Sequence, residues 1–266
     1  MPDTLAVAVA DHVATVTLLR ATMAPAFFAE CEAAFRGLAA DGEVRAIVVR
    51  SSAKAFSYGL DLPAAFQQFG PLFAGGGAAN RAELLALIRR LQGAFNAIAA
   101  SPVPVLAAVH GACIGGGLDL ISACDIRLAS ADAKISLREV KVAIIADLGS
   151  LQRLPFIIGQ GHTRELAFTG KTIDAARALR IGLVSDVLAT PDELAAAADA
   201  MAREIAGNPP LTVRGIKDVL AAGQGRSVAE GLEYVAAYNA AFLASEDLGE
   251  ALAAFMEKRE PRYQGR

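Results

Sequence analysis

Three carboxylic acids follow a run of three glycines near the middle of this 266-residue chain. The glycines occupy residues 115–117, and the acids are Asp119, Glu139 and Asp147. Glycine lets the backbone approach a ligand closely, and N–H groups at the start of a helix hold a negatively charged oxygen. Carboxyl groups take up and release protons. The combination predicts chemistry in which a proton leaves a carbon atom while negative charge collects on a carbonyl oxygen, as in an enolate.

Each of these residues also has a purely structural explanation. The glycines suit a tight turn between a strand and a helix. They do not form a nucleotide-binding P-loop, because Leu118 stands where a P-loop has lysine. Asp119 suits the first turn of its own helix, where a carboxylate complements the helix dipole. Glu139 is then a surface acid paired with Arg138 or Lys141. Taken singly the acids leave both explanations open, and their number beside one glycine run favours catalysis.

Asp147 follows the apolar run VAIIA and precedes Leu148 and Gly149. In one interpretation its side chain caps a helix that begins near Gly149. In the other, its carboxyl group is poorly solvated, which raises its pKa and suits it to donating a proton.

A second loop, KAFSYGLDL at residues 54–62, follows a predicted buried strand, which is where α/β folds place ligands. We expect the main-chain N–H of Tyr58 to act with that of Gly116 as a pair of oxyanion donors. A plain connecting turn is the alternative. The residues expected to contact the substrate are Ser57, Tyr58, Gly59, Leu60, Asp61 and Gly116.

Composition excludes several classes of function. Hydrophobic residues make up 54% of the chain, which allows a sizeable core, and the net charge of −3 argues against a nucleic-acid-binding surface. The three cysteines and three histidines have no metal-ligand spacing, so we expect neither a disulfide framework nor a metal site. Because no targeting signal and no membrane-spanning stretch is recognised, we expect a cytoplasmic protein.

Periodicity predicts an α/β fold. Alternation of apolar and polar residues predicts a hairpin, helical spacing predicts two long helices, and apolar runs predict buried strands. After Gly149 the pattern is almost wholly helical, and we expect a core over residues 1–190 and a C-terminal helical region over 191–266. The main predicted segments are strands at 4–10, 13–19 and 44–51, helices at 25–40 and 81–100, and a glycine-rich mobile loop at 70–79.

Four motifs together resemble the crotonase (enoyl-CoA hydratase/isomerase) superfamily over nearly the whole chain. They are KAFSYGLDL, HGACIGGGLDL, RIGLVSDVL at 180–188 and FMEKREPRY at 255–263. The resemblance implies an α/β fold built as a spiral of ββα units, with a C-terminal helical trimerisation region. It also implies a homotrimer or a dimer of trimers that acts on an acyl-CoA thioester, with no cofactor beyond the CoA that the substrate carries.

Within the superfamily, the run from the glycines to QRLP is most similar to dienoyl-CoA isomerases. Hydratases have two glutamates at the positions of Asp119 and Glu139 and usually a glycine at Asp147, whereas those isomerases have Asp, Glu and Asp. The resemblance implies conversion of 3,5-dienoyl-CoA to 2,4-dienoyl-CoA in fatty acid β-oxidation. Glu139 would be the base at carbon 2, Asp147 the acid at carbon 6, and Asp119 an auxiliary acid.

Three other functions remain open at this point. In a 2-enoyl-CoA hydratase, Asp119 and Glu139 would handle a water molecule. A thioester hydrolase would use the same oxyanion donors, but the chain lacks an evident nucleophile–histidine pair, since His110 stands alone. A non-catalytic acyl-CoA-binding protein would have no need of three acids.

Overall fold

The computed structural model describes residues 3–266, and within them the chain forms two β-sheets and ten α-helices. The main sheet has six strands in the order β1-β2-β3-β4-β6-β9, and a smaller sheet has the order β5-β7-β8. The strands are β1 (Leu5–Ala10), β2 (Val13–Leu18), β3 (Ala46–Ser51), β4 (Val105–Val109), β5 (Ala112–Ile114), β6 (Ile126–Ser130), β7 (Lys134–Ser136), β8 (Thr172–Asp174) and β9 (Asp186–Leu188).

The helices alternate with strands in the first two thirds of the chain and follow one another in the last third. A short 3-10 helix, Glu139–Val142, lies between β7 and the fifth helix. The α-helices are α1 (Pro25–Ala40), α2 (Leu62–Ala74), α3 (Ala78–Ala99), α4 (Gly116–Ser122), α5 (Ser150–Thr169), α6 (Ala175–Arg180), α7 (Pro191–Ala206), α8 (Pro210–Ala222), α9 (Val228–Phe242) and α10 (Glu246–Glu257).

The main sheet begins with an antiparallel hairpin, β1-β2, and continues with parallel strands. Its central strands are apolar on both faces because helices cover both. On one face, Ile47 and Val49 join the larger core beneath α1 and α3. On the other, Ala46 and Val48 pack against the buried residues of α7. This layered sheet fixes the ends of β3 and β4, from which the site loops emerge.

Several predicted elements are confirmed. The hairpin, the strand that becomes β3, and helices α1 and α3 lie where periodicity put them. In α1 the predicted apolar face is the buried one, and proline at its first position has no N–H that the helix would leave unpaired. The buried residues of this helix are Phe27, Phe28, Cys31, Phe35 and Leu38.

The predicted loop over residues 70–79 is wrong at both ends, because α2 continues to Ala74 and α3 begins at Ala78, which leaves residues 75–77 between the helices. Helix α2 extends to Ala74, because the Asp61 side chain accepts a hydrogen bond from the Ala64 N–H (3.1 Å) and Phe69 packs into a small satellite core. The nearly all-helical pattern predicted after Gly149 also omits two short strands, β8 and β9.

The predicted boundary at residue 190 stays a prediction. The first helix beyond it, α7, packs on the main sheet and completes the second core cluster with Leu194, Ala198, Ala202 and Ala206. No helix within residues 3–266 has the length and hydropathy needed to span a bilayer.

Candidate active site

A cavity of about 540 Å³ lies beyond the carboxyl ends of the central parallel strands. Most of its wall residues come from the loop after β3, the start of α4 and the segment from β7 to α5, and others come from α1, β5 and β8. Most of the lining is apolar, supplied for example by Phe28, Leu62 and Val142. The predicted site residues that line it are Tyr58, Gly59, Leu60, Gly116, Asp119, Glu139 and Asp147.

The main-chain N–H of Tyr58 is already used inside the protein. It donates a hydrogen bond to the carbonyl oxygen of Ala21 at 2.6 Å. The Tyr58 side chain is 45% exposed at the cavity wall. The structure therefore does not support the predicted role of the Tyr58 N–H as an oxyanion donor.

The N–H of Leu60, rather than that of Tyr58, is a free main-chain donor in this loop. Leu60 forms an isolated parallel bridge with Met23, in which the Met23 N–H donates to the Gly59 carbonyl (2.8 Å) and the Asp61 N–H donates to the Met23 carbonyl (3.0 Å). In a parallel bridge of this kind the bonds flank Leu60, so its own N–H faces away from Met23. No acceptor bonds to it within residues 3–266.

The Gly116 N–H lies beside that of Leu60. Gly116 is the first residue of α4, where an N–H has no partner within the helix. A Cβ atom built on Gly116 would lie 3.8 Å from the Leu60 nitrogen, and one built on Gly59 would lie 3.2 Å from the Gly116 nitrogen. Two unpaired main-chain donors at the cavity wall form the arrangement that stabilises an oxyanion.

The backbone around these donors requires glycine. Gly59 has a φ of +83°, and a Cβ there would lie 2.8 Å from the Ile114 carbonyl oxygen. A Cβ on Gly117 would lie 3.0 Å from the Ser57 Cβ. The glycine run thus serves both the close packing of two loops and the exposure of N–H groups to the cavity.

Ser57 and Asp61, predicted to contact the substrate, do not line the cavity. Ser57 is buried, and its Oγ accepts a hydrogen bond from the Gly59 N–H at 3.0 Å. Asp61 caps α2 and also accepts a hydrogen bond from the Thr22 hydroxyl at 3.3 Å. Both residues shape the loop that presents Leu60.

Asp119 is 1% exposed and binds across the site to another helix. Its Oδ1 accepts a hydrogen bond from the Ser150 N–H at 2.7 Å, so it caps α5. Burial raises the pKa of Asp119, while the hydrogen bond from the Ser150 N–H opposes that rise. Asp119 therefore does more than complement the dipole of its own helix. Its partner lies 31 residues away in the sequence, so the local pattern could not reveal this contact.

Glu139 has the environment of a general base. Burial, followed by the nearby charge of Asp119, raises its pKa to about 7. Its Oε2 is buried and has no hydrogen-bond partner among the described residues. The structure shows no ion pair between Glu139 and Arg138 or Lys141. The surface-acid explanation of Glu139 is therefore wrong.

Asp147 is half-buried at the cavity wall, and burial raises the pKa of its carboxyl group. Its side chain does not cap α5, because the helix starts after Gly149 and Asp119 supplies the cap. Its main-chain carbonyl accepts a hydrogen bond from the Gln92 side chain at 2.6 Å. Arg153 donates to the next carbonyl, that of Leu148, at 3.2 Å. Asp147 is thus held in a fixed segment.

Gln92 and Arg153 were not predicted as site residues. Arg153 also donates to the Asn96 side chain at 2.7 Å, and its guanidinium group fills the space that a Cβ on Gly149 would need. Arg153 lies in the QRLP run that carries part of the family resemblance, so that run is the signal that could have pointed to it. Gln92 gives no such signal, since it lies on α3, far from Asp147 in sequence.

No group of three or more His, Cys, Asp or Glu side chains in the described part of the chain could hold a metal ion. The arrangement instead combines two N–H donors with three acids that have raised pKa values, in a largely apolar cavity. Such a site can stabilise a thioester enolate and move protons at two carbon atoms.

Comparison with known proteins relates the chain to one family. Residues 9–266 match the family model described as enoyl-CoA hydratase/isomerase. The chain is 44% identical to a mitochondrial Δ(3,5)-Δ(2,4)-dienoyl-CoA isomerase of Dictyostelium discoideum, over 84% of this chain and 76% of that protein. It is 43% identical to the peroxisomal enzyme of that name from Arabidopsis thaliana, over 89% of this chain and 86% of that protein.

Solved structures share the fold. A putative enoyl-CoA hydratase from Streptomyces coelicolor superposes with a TM-score of 0.91 and 31% identity, over 100% of this chain and 96% of that one. An enoyl-CoA hydratase from Bacillus anthracis gives a TM-score of 0.89 and 30% identity, over 99% of this chain and all of that one. The predicted α/β fold, a crotonase-like spiral with a C-terminal helical region, is confirmed.

The same comparisons overturn the predicted cytoplasmic location. The relatives from Dictyostelium discoideum and Mus musculus are named mitochondrial, and the one from Arabidopsis thaliana is named peroxisomal. The prediction of a cytoplasmic protein is wrong. It rested on the lack of a recognised targeting signal, and such a lack carries no positive information about a compartment.

Proposed function

This chain belongs to the enoyl-CoA hydratase/isomerase family, and we propose that it isomerises 3,5-dienoyl-CoA to 2,4-dienoyl-CoA. The observation that carries the proposal is the placement of Glu139 and Asp147 on one cavity, both with raised pKa values, beside two free main-chain donors. Isomerisation moves one proton along the diene, so it needs a base at one end and an acid at the other. The high identity to proteins named dienoyl-CoA isomerase supports the same function.

The reaction begins with the thioester carbonyl between the N–H groups of Leu60 and Gly116. Glu139 removes a proton from carbon 2, and the electron pair moves onto the carbonyl oxygen, where the two N–H groups stabilise the negative charge. The electrons then return through the diene, and Asp147 adds a proton at carbon 6. One C–H bond breaks and one forms. Glu139 ends protonated and Asp147 ionised, and proton exchange restores the starting state.

Asp119 acts on the other two acids in this proposal. Its charge helps to raise the pKa of Glu139, which makes that group a stronger base. Its Oδ1 caps the helix that follows Asp147 and so fixes the acid's position. Asp119 is therefore proposed as a positioning residue, which revises its predicted role as an auxiliary acid.

The hydratase alternative has less support. Hydration needs two carboxylates that hold a water molecule, and here one oxygen of Asp119 is bound to the Ser150 N–H. The comparisons do include a hydratase, since the chain is 36% identical to mouse methylglutaconyl-CoA hydratase over 86% of this chain and 70% of that protein. That identity is lower than the 44% and 43% found with the isomerases.

An ultraviolet assay distinguishes the two functions. The purified protein is incubated separately with 3,5-dienoyl-CoA and with 2-enoyl-CoA, and the absorbance of each conjugated thioester is followed. We expect the kcat/KM for dienoyl isomerisation to exceed that for hydration by more than tenfold. Faster hydration than isomerisation would replace this proposal with the hydratase function.

We also propose that the enzyme uses no cofactor beyond the CoA carried by its substrate. The proton transfers described above require only the two main-chain donors and the carboxyl groups. Dialysis against a chelator should leave kcat unchanged, and a loss that added metal restores would contradict this expectation.

A further inference from the structure

A second cavity, of about 660 Å³, lies at the opposite end of the main sheet from the active site. Arg45, which lines it, directly precedes β3, whereas the active-site loop follows β3. A six-residue strand separates the two ends by about 20 Å. The two cavities share no lining residue, so this is a separate feature of the molecule.

Arginine dominates the walls of this cavity. Four arginines line it, namely Arg45, Arg203, Arg214 and Arg262. The Arg45 guanidinium is used internally, because it donates to the carbonyl oxygens of Ala206 (3.3 Å) and Tyr263 (3.0 Å). The remaining three side chains make no hydrogen bond and no ion pair with other described residues.

Arg214 shows most directly that an acceptor is missing. Its Nε atom is buried and has no hydrogen-bond partner in the described part of the chain. A guanidinium group can only donate, so its partner has to be an acceptor on another group. A buried donor without a partner is unfavourable, and an anionic oxygen is the group that would satisfy it best.

The acids in the cavity do not balance these arginines. Among the described residues, the acids that line it are Asp11 and Glu43, against four arginines and His12. Glu43 already has a neighbour, because its Oε2 lies 3.7 Å from the Nδ1 of His12, which also contacts the Glu43 main-chain carbonyl at 2.8 Å. Two further acids lie behind the wall at residues 261–265: Glu250, whose oxygens Arg259 already binds, and Asp247, which binds main-chain N–H groups of that wall. With Asp247 counted, three acids still face four arginines.

The wall formed by residues 261–265 is held in place by buried hydrogen bonds. Asp247, which is 3% exposed, accepts hydrogen bonds from the N–H groups of Gln264 (2.7 Å) and Gly265 (2.9 Å). Glu250 accepts another from the Arg262 N–H at 2.7 Å. The start of α8 adjoins this segment, since a Cβ built on Gly265 would lie 3.4 Å from the Pro210 Cβ, and no side chain caps the first N–H groups of α8. The cavity is therefore a fixed, positively charged space.

We propose that this cavity binds a phosphate group, either free or carried by a small nucleotide. The planar guanidinium fork of arginine pairs with two phosphate oxygens at once, which a lysine surface would not do. The guanidinium groups of Arg203, Arg214 and Arg262, which line the cavity without a partner among the described residues, would donate to the phosphate oxygens and neutralise their charge. The volume lies within the usual range for small-molecule sites.

Calorimetric titration of the full chain tests this proposal. The ligands are inorganic phosphate, pyrophosphate and AMP, each at the same ionic strength. We expect saturable binding with one ligand per chain. In Arg214→Gln and in Arg203→Gln the affinity should fall at least tenfold, whereas the control Arg89→Gln, a change of the same charge at an exposed helix residue, should bind like the wild type.

The ligands separate the two sources of phosphate. Tighter binding of AMP than of phosphate supports a nucleotide, and equal or weaker binding supports the free ion. Because Arg203 is exposed, its variant keeps the test valid even if Arg214→Gln fails to fold. Non-saturable binding, or equal affinity in all variants, would overturn the proposal. Both variants should retain dienoyl isomerisation, so failure here leaves the proposed catalytic function unaffected.

Discussion

At the scale of single residues, the site depends on one carboxyl group being a stronger base than a glutamate in water. Burial is the largest cause of the raised pKa of Glu139, and the charge of Asp119 adds to it. A base whose pKa lies near the working pH combines a useful ionised fraction with strong proton affinity. The same burial leaves Glu139 Oε2 without a hydrogen-bond partner among the described residues, so no internal donor offsets the rise in its pKa by binding this oxygen.

The pH dependence of isomerisation should report this environment. Glu139 must be ionised to act as a base, so activity should fall as the pH drops through about 7. In Asp119→Asn the neighbouring negative charge is lost, so the pKa of Glu139 should fall. The rising limb of the plot of kcat/KM against pH should then move to lower pH. Burial remains, so the midpoint should stay above 4.5, the ordinary glutamate value. An unchanged limb in the variant would contradict the assignment of Glu139.

The two proposed proton-transfer residues should each be indispensable. Asp147→Asn keeps the size of the side chain but cannot donate an acidic proton, so dienoyl isomerisation should fall by about 10²-fold or more. Glu139→Gln should be at least as damaging, because it removes the base that starts the reaction. Asp192→Asn, at an exposed helix residue, serves as the control. Steady-state kinetics measures the loss, and full activity in Asp147→Asn would reject its role.

The oxyanion donors are main-chain atoms, so side-chain truncation should not remove them. Tyr58→Phe should change turnover by only a few-fold. Gly116→Pro deletes a donor at the first position of a helix, where proline is otherwise tolerated, and should abolish turnover. Gly116→Ala adds a Cβ atom but keeps the N–H, and it therefore separates crowding from loss of the donor. Equal loss in the alanine and proline variants would count against a donor role for Gly116.

At the scale of elements, helix α5 links the acids to one another. Its cap is the Asp119 side chain on α4, and the segment that carries Asp147 lies just before its first turn. Gln92 from α3 and Arg153 from α5 bind the carbonyls of that same segment. The position of Asp147 therefore depends on contacts from three helices.

Two substitutions of Asp119 should separate its contribution as a helix cap from the contribution of its charge. In Asp119→Ala the Ser150 N–H loses its acceptor, and the free energy of unfolding should fall by about 1–2 kcal/mol. Asp119→Asn keeps an acceptor oxygen without the charge, so it should retain most of the stability. Urea denaturation at neutral pH measures both. Equal destabilisation by the two substitutions would show that charge, not capping, is what Asp119 contributes.

Sequence patterns predicted long elements better than short ones. The apolar spacing in α1 and the alternation in the hairpin are local signals, and the structure confirms them. Strands β5, β8 and β9 have three residues each, too few for alternation to be visible. The strands of the smaller sheet are defined by pairing with partners that lie 20 or more residues away.

Sequence analysis identified most residues of the site but not their geometry. All three acids and Gly116 line one cavity, as the motifs indicated. The choice between the N–H groups of Tyr58 and Leu60 depends on hydrogen bonds to Ala21 and Met23, far back in the chain. Such distant contacts leave no periodic pattern in the sequence, so a motif can identify a loop without showing which N–H group in it is free.

At the scale of the whole molecule, the last helices pack incompletely in a single chain. Helix α9 has no buried residue, and α10 buries only two. Large apolar side chains on these helices are well exposed, among them Leu232 (61%), Phe255 (80%) and Met256 (78%). Several large apolar side chains exposed on two consecutive helices are typical of a protein–protein interface. We propose that a second and third copy of this chain cover it.

Light scattering tests that proposal directly. Three chains of 27.5 kDa give a trimer of about 82 kDa, and a dimer of trimers gives about twice that mass. Leu232→Glu and Phe255→Glu place a charge on the exposed apolar surface, where burial in an interface would be costly, and should shift the protein towards monomer at micromolar concentration. Val9→Glu, an equivalent change on an exposed position of β1, should leave the mass unchanged. A wild-type protein that remains monomeric at micromolar concentration would contradict the proposal, and the apolar surface of α9 and α10 would then need another partner.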